Sequence, residues 1–213
     1  MGIFTPHPLG PSALDRLVAA APFLDVVQVR VKAPGRTAGP SPAAALFDWT
    51  VRVLDALLGA HDAPLVVVND RPDVARATEH LGCAGVHVGQ DDAAPDVVRR
   101  FLGERAIVGL STHDARQVAR AEFEPVDYLG FGPVFPTATK GYERGVGPEL
   151  AWSAHAASPR PVFPIGGIDL ENALELDAVG RAAVGSAIFA APDPARAAAA
   201  MRALLEEHED DAR

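Results

Sequence analysis

The chain has 213 residues, 48% of them hydrophobic, and a net charge of −9. That length suits one domain with a full core, and the acidic balance argues against general binding to nucleic acid or to anionic membranes. No apolar run approaches the roughly 20 residues of a membrane span. The start, Met1 to Pro6, lacks the regions of a secretory signal. Cys83 is the single cysteine, so no intrachain disulfide forms and a reducing cytoplasm is the expected setting.

Short apolar runs alternate with amphipathic stretches along the whole chain. Strands are expected over 3–4, 26–31, 65–68, 85–88, 106–110, 128–131, 162–165 and 182–184. Each precedes an expected helix, over 12–21, 43–58, 72–81, 95–101, 115–121, 149–156, 170–176 and 194–205. Eight strand–helix alternations indicate parallel βαβ units, and eight units close into a (β/α)8 TIM barrel, an α/β fold of one domain over 1–213. A doubly wound open sheet would call for Gly-x-Gly-x-x-Gly after the first strand, which is absent. The Pro/Gly-rich segment 33–42 reads as a loop over the barrel mouth, and 206–213 as a frayed acidic tail.

Taken in chain order, the polar residues at strand ends carry the chemistry. Gln28, Arg30 and Lys32 alternate with Val27, Val29 and Val31, so the valines face the helices and the polar set faces the barrel interior. Two cations on one interior face need an anion or carboxylates to meet them. Asn69-Asp70 ends the third strand and Gln90-Asp91-Asp92 follows the fourth. Asp70 and Asp92 are candidate ligands of a hard cation such as Mg²⁺, with Asp91 turned away; loop acids capping the next helices are the equal alternative. His87, on the fourth strand, reads as a packed core histidine. His113 follows Ser111-Thr112 and is either an acid/base group at the mouth or part of a helix cap.

Only two lysines stand against 17 arginines, Lys32 and Lys140, and both lie in motif-like stretches. A compact ammonium suits a phosphate oxygen differently from a planar guanidinium. Thr137, Thr139 and Lys140 form a plausible phosphate cradle, followed by a glycine-rich loop, 141–147. Gly166-Gly167 ends the seventh strand and Gly185-Ser186 the eighth, where barrels of this kind bind phosphate through backbone N–H groups. Two anion subsites beside a metal point to a reaction between a diphosphate and a monophosphate. The expected partners are small phosphorylated molecules, and homo-oligomerisation stays open.

Jointly and in order, several motifs resemble the thiamine-phosphate synthases and their TenI-like relatives. These are Gln-x-Arg-x-Lys at 28–32, Asn69-Asp70, the run 85–92 ending in Gln90-Asp91-Asp92, and Gly109-Leu110-Ser111-Thr112-His113. Asp127-Tyr128, the run 132–140, Ile165-Gly166-Gly167-Ile168 and Asn172 continue the series. The resemblance implies a TIM barrel that joins hydroxymethylpyrimidine diphosphate to a thiazole phosphate and releases pyrophosphate. It implies that Gln28, Arg30, Lys32, Asn69, Ser111 and Lys140 hold the pyrimidine diphosphate, with Arg30, Lys32, Lys140 and Ser111 acting on the departing group. It further implies Mg²⁺ on Asp70 and Asp92, and the thiazole phosphate on Thr137, Thr139, Gly167, Gly185 and Ser186. The chain departs from the family pattern at Thr5-Pro6-His7, where an aspartate is usual, and at Val31, where a glutamate is usual. Two alternatives remain: a thiazole tautomerase with His113 as its acid/base, or a non-catalytic barrel that binds phosphometabolites.

Overall fold

The computed structural model describes residues 1–31, 42–137 and 144–206. The β-branched runs form seven parallel strands, each hydrogen-bonded to the next in sequence order. They are β1 (Gly2–Phe4), β2 (Val26–Val29), β3 (Leu65–Asn69), β4 (Cys83–Val88), β5 (Ile107–Thr112), β6 (Tyr128–Phe131) and β7 (Val162–Pro164). Val66, Val67 and Val68 are all buried, as expected for a strand covered on both faces.

Two residues close the ring. Ala183 bridges Ile165 and Val184 bridges Gly2; the Ala183 N–H donates to the Pro164 carbonyl at 2.8 Å and the Ile3 N–H to the Val184 carbonyl at 2.8 Å. The result is a (β/α)8 barrel whose eighth strand is shorter than the expected 182–184. Gly185 (φ −112°, ψ −94°) turns the chain at once into a short helix that the sequence pattern did not disclose.

The helices are α1 (Ala13–Ala20), α2 (Pro42–Leu57), α3 (Pro72–Thr78), α4 (Pro95–Leu102), α5 (Ala115–Ala121), α6 (Pro148–Ala157), α7 (Ser186–Phe189) and α8 (Pro194–Glu206). Five of them open on proline, whose fixed φ and missing N–H cost nothing in a first turn. The helix expected over 170–176 is instead a 3₁₀ helix over Ala173–Val179. Its start is displaced by a side-chain turn: the Asp169 carboxylate accepts from the N–H of Glu171 and Asn172, and the Asn172 side-chain Oδ1 accepts from the Asp169 N–H. None of the described helices is long and apolar enough to cross a membrane. The tail from residue 207 onward lies outside the described residues.

Between sheet and helices, Phe4 packs edge-on against Trp49 and Phe189. Inside the barrel, Tyr128 stands edge-on to Phe163 at 5.5 Å and beside His87 at 5.3 Å between ring centroids. These rings fill the lower interior. The space above them is the C-terminal mouth, where functional residues of this architecture collect.

Candidate active site

A cavity of about 520 Å³ occupies that mouth. One part of its wall comes from strands β2 to β5. Gln28 and Arg30 reach it because Val27 and Val29 take the opposite, fully buried face, so the expected alternation is observed. Asn69, His87, Ser111 and His113 continue that wall. The facing part is Thr137, Gly166, Gly167, Asp169, Gly185 and Ser186. Residues from seven different segments therefore meet around one space. Lys32, Thr139 and Lys140 lie outside the described residues.

Asp70 and Asp92 stand beside this wall, next to Asn69. Their carboxyls are within hydrogen-bond reach of each other, and Asn69 and Arg30 lie close to Asp70. Burial, and then the nearby Asp92 carboxylate, push the Asp70 carboxyl up to about 6. Burial also pulls Arg30 below its ordinary value, with Asp70 opposing the shift. The helix-capping alternative does not hold: neither α3 nor α4 has a side-chain cap at its start. Asp92 instead accepts the Gly89 N–H at 2.7 Å within its own turn. Asp70 sits in the left-handed region (φ 62°), a conformation uncommon outside glycine, asparagine and aspartate. Two carboxylates this close suit a hard dication that keeps water or substrate oxygens as its other ligands. Among the described residues no group of three or more His, Cys, Asp or Glu side chains gathers as a metal cage.

His113 does not cap α5. That role falls to Asp114, whose carboxylate accepts the Gln117 N–H at 2.8 Å. The His113 Nδ1 lies against the Gly132 carbonyl and donates to it. On the facing wall, Gly166 (φ 99°) and Gly167 (φ 67°) take conformations that disfavour a side chain. A Cβ at Gly167 would also meet the Pro136 carbonyl oxygen at 2.4 Å. The Asn172 amide holds this turn by donating to the Gly167 carbonyl at 2.8 Å.

Three features escaped the sequence reading. The His87 Nε2 lies 2.8 Å from the Ser111 hydroxyl, and its Nδ1 lies 3.0 Å from the Tyr128 hydroxyl. The Gln90 amide donates to the Ser111 carbonyl at 2.6 Å. Asp169 contributes to the cavity wall. The glycines Gly109 and Gly130, placed inside strands, were the available signal that something bulky approaches the backbone there.

Comparison with known proteins agrees with this architecture. The family model for thiamine monophosphate synthase matches residues 10–188. The thiamine-phosphate synthase of Gloeobacter violaceus is 38% identical over 199 residues, which is 92% of this chain and 54% of that protein; the chain thus spans about half the length of that relative. The thiamine-phosphate synthase of Mycolicibacterium smegmatis is 41% identical over 192 residues, 88% of this chain and 82% of that protein. The solved thiamine phosphate pyrophosphorylase from Pyrococcus furiosus superposes with a TM-score of 0.80 at 27% identity, covering 97% of this chain and 95% of that one.

Proposed function

The chain belongs to the thiamine monophosphate synthase family, and we infer from that membership and from the cavity that it joins hydroxymethylpyrimidine diphosphate to a thiazole phosphate, releasing pyrophosphate. The observation that carries the reading is the convergence of Gln28, Arg30, Asn69 and Ser111 with Thr137, Gly167, Gly185 and Ser186 around one space. A cation and polar donors on one side suit the diphosphate. Hydroxyls and glycine backbone on the other suit a monophosphate.

The expected reaction is a dissociative substitution. The bond between the pyrimidine methylene and the diphosphate oxygen breaks, the electron-rich aminopyrimidine stabilises the cation left behind, and the thiazole nitrogen forms the new carbon–nitrogen bond. That nitrogen is already nucleophilic, so no general base is required. Arg30, with Lys32 and Lys140 as further cations, would stabilise charge on the departing pyrophosphate, and holding the two rings face to face would supply much of the remaining rate. Asp70 and Asp92 would hold Mg²⁺, a fit supported by the closeness of their two carboxyls. A bound Mg²⁺ would add charge neutralisation at the leaving group. A cytoplasmic setting and Mg²⁺ dependence belong to the same reading.

Purified protein mixed with both substrates and Mg²⁺ should form thiamine phosphate and pyrophosphate in equal amounts, and chelation with EDTA should stop both. Folded protein that binds a thiazole phosphate yet forms no product would sink the reading. It would favour the second one, a thiazole tautomerase, for which the cavity position of His113 is the supporting observation.

A further inference from the structure

Gly109 and Gly130 face the barrel interior from β5 and β6. A Cβ at Gly109 would lie 2.2 Å from the Tyr128 ring and 2.5 Å from the His87 Nδ1; one at Gly130 would lie 3.2 Å from the His87 Cε1. Glycine inside a strand loses packing and conformational entropy, and close approach by another group is a usual reason for it. Here Gly109 makes room for both rings and Gly130 for the imidazole. The pair ends on Ser111, which lines the cavity beside His87.

The chemistry gives this chain a direction. Tyr128 is buried, and burial pushes its phenol well above the ordinary value, so it keeps its proton at every working pH. A buried O–H needs an acceptor. Among the described residues, the His87 Nδ1 is the partner of the Tyr128 hydroxyl. A proton on Nδ1 would leave the phenolic proton orphaned. Tyr128 therefore donates to Nδ1, the imidazole carries its proton on Nε2, and Nε2–H donates to the Ser111 oxygen. With its oxygen already accepting, Ser111 has its own proton left to give. Its backbone cannot swing away, because Gln90 grips the Ser111 carbonyl at 2.6 Å.

We propose that Tyr128 is a positioning residue, acting through His87 to fix Ser111 as a hydrogen-bond donor toward an anionic oxygen in the cavity. The identity of that anion, the diphosphate end of the substrate, rests on the synthase reading; the order of donors does not. The chain does not move a proton. It sets in advance which way the Ser111 hydroxyl points, so that no reorientation is needed when negative charge collects on the departing group.

Two measurements test it. In ¹⁵N-labelled protein, the His87 ring should show a protonated Nε2 and an unprotonated, hydrogen-bonded Nδ1; the opposite tautomer overturns the proposal, and this measurement needs no variant. Calorimetric binding of inorganic pyrophosphate with Mg²⁺ then reads the coupling. Tyr128→Phe keeps the ring against Phe163 and should weaken binding about tenfold. Ser111→Ala should weaken it at least as much, and the double variant should be no weaker than Ser111→Ala alone. Additive losses, or an unchanged affinity in Tyr128→Phe, overturn the proposal. Product formation without this coupling sinks the relay and leaves the synthase reading standing. Coupling without product formation keeps the relay and sinks the synthase reading.

Discussion

Replacing Asp70 by asparagine should stabilise the protein while removing its activity. Burial and Asp92 raise the Asp70 carboxyl from its ordinary 3.8 to about 6. A raised acid means that the fold disfavours the ionised form. The cost is absent below the unfolded-chain value near 3.8 and complete above about 6, so stability from this group falls as pH rises through that window. In a group sealed from water the shift would be worth about 3 kcal/mol. Asp70 is exposed to solvent as a residue, and screening brings the figure to about 1 kcal/mol at most. Asparagine matches the size of aspartate and tolerates φ 62°. Without divalent metal, calorimetric Tm of Asp70→Asn should exceed wild type by about 2–4 °C near about pH 8 and equal it near about pH 4. Added Mg²⁺ should raise the wild-type Tm and leave the variant unmoved. A variant that is less stable at the higher pH, or equally stabilised at both, would refute the reasoning.

Other perturbations separate scaffold from site. Arg99 is buried and donates to the carbonyls of Pro125 and Ala106 and to the Asp127 carboxylate at 2.8 Å, while Asp127 also accepts the Val108 N–H. Arg99→Met should cost about 3 kcal/mol in urea unfolding and leave turnover per folded molecule unchanged. Gly167→Ala combines an unfavourable φ with a 2.4 Å clash against the Pro136 carbonyl, so it should raise KM for the thiazole phosphate by about tenfold or more, with a far smaller effect on KM for the pyrimidine diphosphate. His113→Ala should keep synthase turnover within a fewfold of wild type; complete loss would move the chemistry toward proton transfer.

The barrel was legible because its signals are local. Period-two alternation separated Gln28 and Arg30 from Val27 and Val29, and prolines at 42, 72, 95, 148 and 194 mark helix starts. Where elements are set by contacts distant in sequence, the pattern failed. The eighth strand shrinks to Ala183 and Val184 because their neighbours, Gly2 and Ile165, fix how much pairing remains before Gly185 turns. The 3₁₀ helix at Ala173–Val179 is a local exception: it starts late because Asp169 and Asn172 spend the preceding residues on a side-chain turn that holds Gly167, which apolar spacing does not report. His87 read correctly as a packed histidine, yet two groups it touches, Ser111 and Tyr128, are 24 and 41 residues away, and no local pattern names them. That Asp70 and Asp92 do not cap the helices that follow also needed geometry, because the same spacing serves a cap and a metal site.

The central claim is that one cavity holds a pyrimidine diphosphate and a thiazole phosphate on opposite walls. A crystal structure with thiamine phosphate, pyrophosphate and Mg²⁺ tests it most directly. Pyrophosphate should lie against Arg30, Asn69 and Ser111, with the metal on Asp70 and Asp92, and the phosphate of thiamine phosphate against Thr137, Gly167 and Ser186. Pyrophosphate on the glycine wall, or a metal bound away from both aspartates, would contradict the account.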